Sequence, residues 1–463
     1  MYTKNDELPL TIEDMSVNGE GIGHANGMTF FVKGAVVGDE IIAGVTRPKK
    51  NLCYARVVEI ITPSPTRCEP FCEKSGPCGG CQLQNLNYDK QLELKAKHVR
   101  DNLERIGGFN SALLNDVMQP IIGMDEPYHY RNKLQIPVGL NKNGDVVIGF
   151  YLAHSHDIVP IDSCALSHPA IDGILPIIRR WIINNRIHIY HNNKGILRHI
   201  LIRYGYATGE LMVCLIGNVH LEDKSDHARE FLDDLYDLAD ELQKVPGMTS
   251  IVFNENCVNT NVILGDKTHL IWGRDYICDF IGDITFNISA KSFYQVNPVQ
   301  TKKLYDKVLE YSALTGVEEV WDLYCGIGTI GLYLSRHAKS VFGVEVVPQA
   351  IEDARVNVML NEITNADFEV GKVEDIIETI DRTTPDVVVV APPRKGCDMK
   401  CIEAMLKLQP KRIIYVSCNP STLARDLQLL YPTYKPLHIT PLDMFPQTGH
   451  VETVCLLSKG DVK

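Results

Sequence analysis

The segment DLYCGIGTIGLYL (322–334) decides the fold class of the C-terminal part of this 463-residue chain. A short apolar strand leads into a turn with Gly326 and Gly328, and a helical pattern follows directly. Glycines there let the backbone approach a ligand closely, although a plain tight turn between strand and helix would use the same residues. The next predicted strand, VFGVEVV (341–347), carries Glu345 near its carboxyl end, where doubly wound folds bind ribose hydroxyls. The turn lacks the third glycine of dinucleotide loops and the Lys-Ser/Thr of phosphate loops, so S-adenosylmethionine fits better than NAD or ATP.

Apolar strands alternate with helical segments throughout the C-terminal part. The strands are VEEVWDLYC (317–325), KSVFGVEVV (339–347), DVVVVAPP (386–393) and KRIIYVSC (411–418). This alternation predicts a parallel sheet with helices on both faces. We therefore expect an α/β Rossmann-like domain over residues 291–463.

The upstream residues divide into two further units, which makes this a multidomain chain. Residues 1–62 contain short strand patterns separated by glycines, which predicts a small OB-like β-barrel. Residues 63–290 begin with a proline-rich linker, and they mix strand runs with a helical stretch near 222–244, which predicts an α+β central domain. Within that domain, residues 88–108 show helical spacing, with an apolar face formed by Leu92, Ala96, Val99, Leu103 and Ile106.

The composition is acidic, since Lys and Arg number 46 against 58 Asp and Glu, giving a net charge of −12. This excludes a uniformly basic nucleic-acid coat, so RNA binding requires local basic patches. Candidate phosphate contacts are Arg47, Lys49, Lys50, Arg131, Lys133, Arg198, Arg203, Lys291 and Arg394, and candidate stacking residues are Tyr128, His129 and Tyr130. The sequence contains neither a transmembrane-length apolar run nor a signal-peptide pattern at its N-terminus. We therefore expect no membrane association and a cytoplasmic location.

Fourteen cysteines are unusual for a cytoplasmic protein, in which disulfides are rare. Several lie close together between Cys68 and Cys81, which indicates metal ligation. Thiolates suit both zinc and iron, so the residues alone leave a four-thiolate zinc site and an iron–sulfur cluster open.

Two residues near the C-terminus are candidates for chemistry. Cys418 follows a predicted strand and precedes a helix that begins at Pro420, a position that should lower the pKa of the thiol. Glu452 lies between apolar neighbours, which should raise the pKa of its carboxyl group and suit it to act as a base. A buried structural cysteine and a salt-bridging edge-strand glutamate would show the same patterns.

Four motifs together resemble the RNA uridine-5-methyltransferases, which install 5-methyluridine in 23S ribosomal RNA or transfer RNA. The motifs are SFYQVNP (292–298), DLYCGIGTIG (322–331), SCNPSTLARD (417–426) and FPQTGHVETV (445–454). The resemblance implies a class I methyltransferase domain that uses S-adenosyl-L-methionine. It also extends upstream, where residues 1–62 resemble a TRAM domain. Cys72, Cys78, Cys81 and Cys164 match the four-cysteine [4Fe–4S] site of the ribosomal members, and that pattern omits Cys68.

The resemblance also implies roles for individual residues. Cys418 is expected to add to carbon 6 of the uracil and Glu452 to remove the proton from carbon 5. Gln295, Tyr324, Thr329, Glu345 and Ala391 match cofactor-binding positions, while Phe293 and Arg394 match substrate-binding positions. We expect 23S ribosomal RNA as the substrate, with transfer RNA as the alternative, and a monomeric enzyme.

Ala391 departs from the family motif, which begins Asp-Pro-Pro-Arg where this chain has APPR (391–394). Alanine supplies neither charge nor a hydrogen-bond acceptor where cofactor and base meet. A deliberate inactivating substitution, a natural variant with a substitute group and a silenced enzyme would each explain it. The alternatives to an active methyltransferase are therefore a catalytically silent RNA-binding or assembly protein of this fold and a cluster-bearing redox sensor. We expect weakened turnover because of Ala391, with the covalent chemistry partly kept because Cys418 and Glu452 are both present.

Overall fold

The computed structural model describes residues 2–153, 155–379 and 384–460. The first unit is a six-stranded sheet, in the order β1-β5-β6-β4-β3-β2, around its own core of Phe30, Val32 and Ile41. Its strands are β1 (Glu7–Thr11), β2 (Asp14–Met15), β3 (Gly21–Ala25), β4 (Met28–Lys33), β5 (Glu40–Pro48) and β6 (Leu52–Thr62). The sheet curls so that β3 approaches β1, which is not its neighbour in the strand order. The approach is close, since a Cβ at Gly23 would lie 2.6 Å from the carbonyl oxygen of Thr11.

Two helices follow, α1 (Tyr88–Arg105) and α2 (Ser111–Val117). The side chain of Asn87 caps the first turn of α1 by accepting a hydrogen bond from the amide of Lys90. Both helices share a core with the C-terminal sheet, through residues such as Val99 and Leu103. The buried face of α1 also contains Gln91 and Lys95, whereas the predicted face residue Ile106 is 44% exposed.

The central unit is a seven-stranded sheet in the order β13-β12-β11-β10-β7-β8-β9, in which only β11 and β12 are parallel. Its elements are β7 (Lys133–Leu140), β8 (Val146–Tyr151), β9 (Ile158–Pro160), α3 (Ile174–Asn184), β10 (Leu197–Tyr204), β11 (Leu211–Gly217), α4 (Asp226–Leu242), β12 (Met248–Glu255) and β13 (Lys267–Gly273). Arg198 and Arg203 of β10 are buried, so their prediction as surface phosphate contacts is wrong. Tyr130, a predicted stacking residue, is buried as well.

The C-terminal unit begins with a hairpin and continues as a mixed seven-stranded sheet in the order β18-β17-β16-β19-β20-β22-β21. Its elements are β14 (Tyr276–Ile281), β15 (Ile284–Ser289), α5 (Pro298–Ser312), β16 (Glu319–Leu323), α6 (Thr329–Ser335), β17 (Ser340–Glu345), α7 (Pro348–Leu360), β18 (Ala366–Val370), α8 (Val373–Thr379), β19 (Val387–Val390), α9 (Met399–Leu408), β20 (Arg412–Ser417), α10 (Pro420–Leu430), β21 (Tyr434–Leu442) and β22 (Glu452–Lys459). The predicted parallel strands are present, and β22 and β21 add an antiparallel pair beside β20.

The chain reverses its direction across this sheet between β16 and β19. It proceeds from β16 outward to β17 and β18, and then returns to β19 on the other side of β16. In such sheets, ligands bind at the carboxyl ends of the strands on either side of the reversal. No helix in the described part of the chain is long and apolar enough to cross a bilayer.

Candidate active site

A glycine turn follows β16 at the point where the sheet reverses. Gly326 and Gly328 have φ values of 56° and 78°, in the left-handed region that glycine adopts without strain. A Cβ at Gly328 would lie 2.7 Å from the Cζ of Phe368, so a side chain has no room there. Tyr324 also has a positive φ, 62°, which is uncommon for an aromatic residue and occurs mainly where function requires it.

Glu345 ends β17 beside this turn. Its carboxylate accepts hydrogen bonds from the amides of Gly326 (3.3 Å) and Val347 (3.0 Å). The acid therefore faces the glycine turn, which is the arrangement predicted for a ribose-binding carboxylate.

Asp322 is an acid of this region that the sequence analysis missed. It is fully buried in β16, and burial raises the pKa of its carboxyl group to about 7. Its Oδ2 accepts a hydrogen bond from the amide of Gly331 at 2.8 Å, while Oδ1 has no hydrogen-bond partner in the described structure. The signal that could have found it is an acid inside an otherwise apolar strand, four residues before Gly326.

The segment before α5 carries the other predicted ligand contacts. Phe293 is 68% exposed although its neighbours Ser292 and Tyr294 are buried, so it does not serve as core packing. Gln295 is half-buried, and its carbonyl accepts a hydrogen bond from the side chain of Asn132 (3.0 Å). The hydroxyl of Thr329, at the start of α6, accepts a hydrogen bond from Tyr305 (2.6 Å).

Cys418 directly follows β20, and Glu452 begins the neighbouring strand β22. In the antiparallel pair β20–β22, Ser417 is opposite Thr453, so the next step of the register brings Cys418 beside Glu452. Cys418 is half-buried, whereas only 6% of Glu452 is exposed. Because β22 lies between β20 and β21, Glu452 is not an edge-strand residue.

The electrostatics link these two groups to Arg394. Burial raises the pKa of Glu452 to about 8, and the nearby charge of Arg394 opposes that rise. Burial, followed by the charge of Glu452, raises the pKa of Cys418, while Arg394 lowers it by its charge and by a hydrogen bond. The predicted lowering of the Cys418 pKa is therefore wrong, because burial and the carboxylate of Glu452 outweigh the lowering by Arg394.

The loop after β19 holds Arg394 beside these groups. The carbonyl of Arg394 accepts hydrogen bonds from the Asn419 side chain (2.9 Å) and the Thr422 hydroxyl (3.3 Å), at the start of α10. Ala391, at the end of β19, donates its amide to the carbonyl of Leu323 at 3.2 Å. Its methyl group therefore lies where the carboxyl ends of β16 and β19 meet.

The four predicted cysteine ligands form a second candidate site. Cys72, Cys78, Cys81 and Cys164 line a single cavity of about 360 Å³, and Cys68 does not. Burial raises the pKa of Cys81 to about 12, and the charges of the other three thiols act in the same direction. No group of three or more Cys, His, Asp or Glu side chains in the described ranges has the arrangement that would hold a single metal ion.

The cysteine cavity also has a cationic side. Arg131 and Lys133, which the sequence analysis offered as phosphate contacts, both line it. Burial together with the charges of Arg203 and Arg131 lowers the pKa of Lys133 to about 8. Lys74 lines it as well, so the cavity combines four sulfur donors with three cationic side chains.

The arrangement at the carboxyl edge of the C-terminal sheet has a definite chemical capacity. A thiol, a carboxyl group of raised pKa and a guanidinium lie together, next to a glycine turn suited to an adenosine ligand. Such a set can add a sulfur nucleophile to an electron-poor ring and remove a proton from it.

Comparisons with known proteins agree with this assembly. A family model described as tRNA (uracil-5-)-methyltransferase matches residues 207–460. An uncharacterized RNA methyltransferase of Clostridium tetani is 44% identical over 466 residues, which cover 99% of this chain and 98% of that protein. A Bacillus cereus protein of the same description is 45% identical over 463 residues, covering 98% of this chain and 97% of that protein.

A solved structure resembles nearly the whole molecule. It is the Pyrococcus abyssi tRNA (uracil-54, C5)-methyltransferase in complex with S-adenosyl-L-homocysteine. The TM-score is 0.75 at 30% identity, and the match covers 97% of this chain and all of that chain (100%).

Proposed function

This chain belongs to the tRNA (uracil-5-)-methyltransferase family of S-adenosylmethionine-dependent RNA methyltransferases, and we propose on this premise that it methylates carbon 5 of a uridine through a covalent bond to Cys418. The observation that carries the proposal is the pairing of β20 with β22, which brings Cys418 and Glu452 together at the ligand-binding edge of the sheet.

The chemistry requires two groups because carbon 5 of uracil is a poor nucleophile. The Cys418 thiolate adds to carbon 6, and the electron pair of the 5,6 double bond moves into an enolate. Carbon 5 of that enolate would then take a methyl group, which S-adenosylmethionine, when bound, would supply from its sulfonium with S-adenosylhomocysteine as the leaving group. Glu452 removes the proton from carbon 5, after which the bond between sulfur and carbon 6 breaks and frees Cys418.

The residues around the glycine turn fit the cofactor. We propose that Glu345 accepts hydrogen bonds from the ribose hydroxyls and that Tyr324, Gln295 and Thr329 border the rest of the ligand. The φ values of Gly326 and Gly328 support this role, since they allow the backbone to approach the cofactor closely.

The substrate side of the site consists of exposed groups. Phe293, with 68% of its surface exposed, can stack on the target base once that base has left its helix. Arg394 is exposed too, and its charge acts on both Cys418 and Glu452. We propose that it contacts the flipped nucleotide and favours the ionised forms of both groups.

Ala391 leaves this proposed site without one carboxylate of the family pattern. Turnover is then reduced rather than lost, because the groups that form and break the covalent bond are present. A silent RNA-binding protein is the second candidate function, and Ala391 is the observation that favours it.

We further propose that Cys72, Cys78, Cys81 and Cys164 hold a [4Fe–4S] cluster. In such a cluster each thiolate binds a different iron, so the sulfurs lie further apart than around one zinc ion. Four thiols around one cavity suit that spacing, and the basic side chains of Arg131 and Lys133 suit an anionic cluster. The cluster would connect two distant segments next to an RNA-binding surface, a structural role rather than that of a redox sensor.

We propose 23S ribosomal RNA as the substrate. The likeness of residues 1–62 to a TRAM domain and the cysteine set support it, since both occur in the ribosomal members of the family. Transfer RNA is the alternative, and it is favoured by the similarity to the Pyrococcus abyssi enzyme, whose name specifies transfer RNA.

One experiment tests both the reaction and the substrate. The protein is incubated with labelled S-adenosylmethionine and either unmodified 23S RNA or unmodified transfer RNA, each carrying tritium at carbon 5 of uracil. We expect methylation and tritium release with 23S RNA, and we expect Cys418→Ser to lose both. Cys257→Ser, which changes an exposed cysteine of the central unit, should keep both. Methylation without tritium release, or a fully active Cys418→Ser variant, would contradict the mechanism.

A further inference from the structure

The segment between β21 and β22, residues 443–451, delivers the chain to Glu452. The β21–β22 ladder closes with Leu442 opposite Glu452, so this segment lies beyond the pairing of the two strands. Its position depends on other contacts, and these come largely from the buried polar face of α1.

Gln447 is the most fully held residue of this segment. Its amide donates to Oε1 of Gln91 (3.1 Å), and its side-chain Oε1 accepts from Nε2 of Gln91 (2.9 Å). Its carbonyl accepts hydrogen bonds from the amides of Gln82 (2.9 Å) and Leu83 (3.0 Å), directly after Cys81. Its φ is 70°, a conformation that side-chain-bearing residues rarely adopt unless their surroundings enforce it.

Lys95 extends the same contact one helical turn further along α1. Its Nζ lies 2.5 Å from Oδ1 of Asp443 and donates to the carbonyl of Phe445 at 3.0 Å. The hydroxyl of Tyr88 donates to Oδ2 of Asp443 (3.0 Å). Gln91 and Lys95 are only 1% and 2% exposed, so both buried polar groups of α1 contact this segment. The Nε2 of Gln91 also donates to the carbonyls of Leu83 (3.0 Å) and Leu86 (2.9 Å), so it links the segment to the residues that follow Cys81.

The barrel unit contacts the segment from another direction. A Cβ at Gly449 would lie 2.0 Å from the carbonyl oxygen of Val17, in the turn between β2 and β3. The segment is thus enclosed by the barrel, the cysteine-bearing segment and α1, and it has little freedom to move.

We propose that Gln91 and Gln447 are positioning residues for the catalytic base, which hold the entry to β22 so that Glu452 reaches the proton on carbon 5. The inference rests on the proposed function. Neither residue touches the substrate; both act through the backbone that leads to Glu452. Because proton removal follows thiolate addition and methyl transfer, a displaced Glu452 leaves a methylated RNA covalently bound to Cys418.

The test compares Gln91→Met and Gln447→Gly with the wild-type protein. Gln91→Met keeps the side-chain size and removes both hydrogen bonds to Gln447, together with those to the carbonyls of Leu83 and Leu86. Gln447→Gly removes the side chain, accepts the positive φ without strain and keeps the backbone carbonyl, so it should fold even if the first variant does not. Asn254→Leu is the matched control, since it removes a fully buried amide in the central sheet.

The readouts separate addition from proton removal. With RNA tritiated at carbon 5, we expect tritium release to slow about 10- to 100-fold in both variants, as for a small displacement of a reacting group. A denaturant-stable protein–RNA adduct carrying the labelled methyl group should accumulate, with S-adenosylmethionine binding unchanged. Asn254→Leu should show neither effect.

Two outcomes overturn the inference. If both variants release tritium at the wild-type rate, or lose adduct and release together in proportion to their folded fraction, the residues have only a structural role. If the wild-type protein itself forms no adduct and releases no tritium, the proposed function fails and takes this inference with it.

Discussion

At the scale of single residues, the charge of Arg394 acts on the two ionisable groups of the candidate active site, the Cys418 thiol and the Glu452 carboxyl group. In the proposed mechanism, both Cys418 and Glu452 act in their deprotonated forms, and burial raises the pKa of each above its ordinary value. Release of the carbon-5 proton should therefore increase as pH rises through about 8, the pKa of Glu452. A rate profile measured under single-turnover conditions checks this, and a rate that falls over that range would contradict it.

Arg394 sets the position of this profile, because its charge lowers the pKa of both groups. In Arg394→Met, both pKa values rise, so the increase in rate should shift to higher pH. The exposed neighbour Lys395 offers the matched control, Lys395→Met, whose profile should stay in place. An unshifted profile in Arg394→Met would show that the guanidinium serves RNA binding alone.

Ala391 gives the second prediction at this scale. Ala391→Asp returns a carboxylate to the junction of β16 and β19, where the cofactor and the base meet. We expect methyl transfer to rise on the order of 100- to 1,000-fold, the size of effect that one polar group at a reacting centre has. Labelled methyl incorporation into RNA measures it. An unchanged rate would mean that another group already supplies the missing function.

At the scale of elements, the turn between β16 and α6 combines a positive φ with lack of space. Gly328→Ala forces a side chain into a left-handed conformation and brings its Cβ within 2.7 Å of Phe368. Gly316→Ala is the matched control, because Gly316 also has a positive φ, 96°, but nothing lies within 4 Å of its Cβ position.

The control should lose only about 1–2 kcal/mol of unfolding free energy, the cost of left-handed backbone. Gly328→Ala should lose about 1–3 kcal/mol more, from overpacking, and should bind S-adenosylmethionine more weakly. Denaturant unfolding and calorimetric titration measure the two effects. Equal losses in the two variants would mean that Phe368 moves aside without cost.

Helix α1 shows how far the sequence predicts an element. Its limits and the burial of Val99 and Leu103 follow from the spacing of apolar residues. The burial of Gln91 and Lys95 does not, because a local pattern treats polar side chains as the exposed face. Their partners, Gln447 and Asp443, lie more than 300 residues away in the chain, since the sequence separations are 356 and 348.

In the candidate site too, properties set by neighbours in the sequence can be predicted, whereas properties set by residues from other strands cannot. Glu452 was predicted to have a raised pKa from its apolar neighbours alone, and the structure agrees in direction. The predicted direction of the Cys418 pKa shift is wrong, because that pKa depends on burial and on Glu452, which begins the neighbouring strand. Arg203 was misread as a surface charge, whereas its guanidinium donates to the carbonyls of Ala290 (3.2 Å) and Ser292 (2.5 Å) beside Phe293.

At the scale of the whole molecule, the three units meet around residues 443–451. The barrel contributes the Val17 turn, the cysteine-bearing segment contributes Gln82 and Leu83, and the C-terminal sheet contributes the strand that carries Glu452. Cys81 lines the cysteine cavity, and the next residue, Gln82, donates its amide to the carbonyl of Gln447, five residues before Glu452. A change in the cavity can therefore reach the proposed catalytic base through one hydrogen bond and a short stretch of backbone. The four proposed cysteine ligands would thus contribute to the architecture of the active site as well as to the stability of the fold.

The cysteine cavity joins the segment from Cys72 to Cys81 with Cys164, which is distant in sequence, so its contents should act as a crosslink. In Cys164→Ser, bound iron should fall from about four per chain to nearly none, with loss of the broad visible absorbance. The free energy of unfolding should fall by about 2–4 kcal/mol, as when a crosslink is removed. Cys68→Ser is the matched control, since Cys68 is exposed and does not line the cavity, and it should keep both iron and stability. A colourless wild-type protein that binds one zinc ion would contradict the cluster. Equal iron loss in the two variants would contradict this choice of ligands, because Cys164 lines the cavity and Cys68 does not.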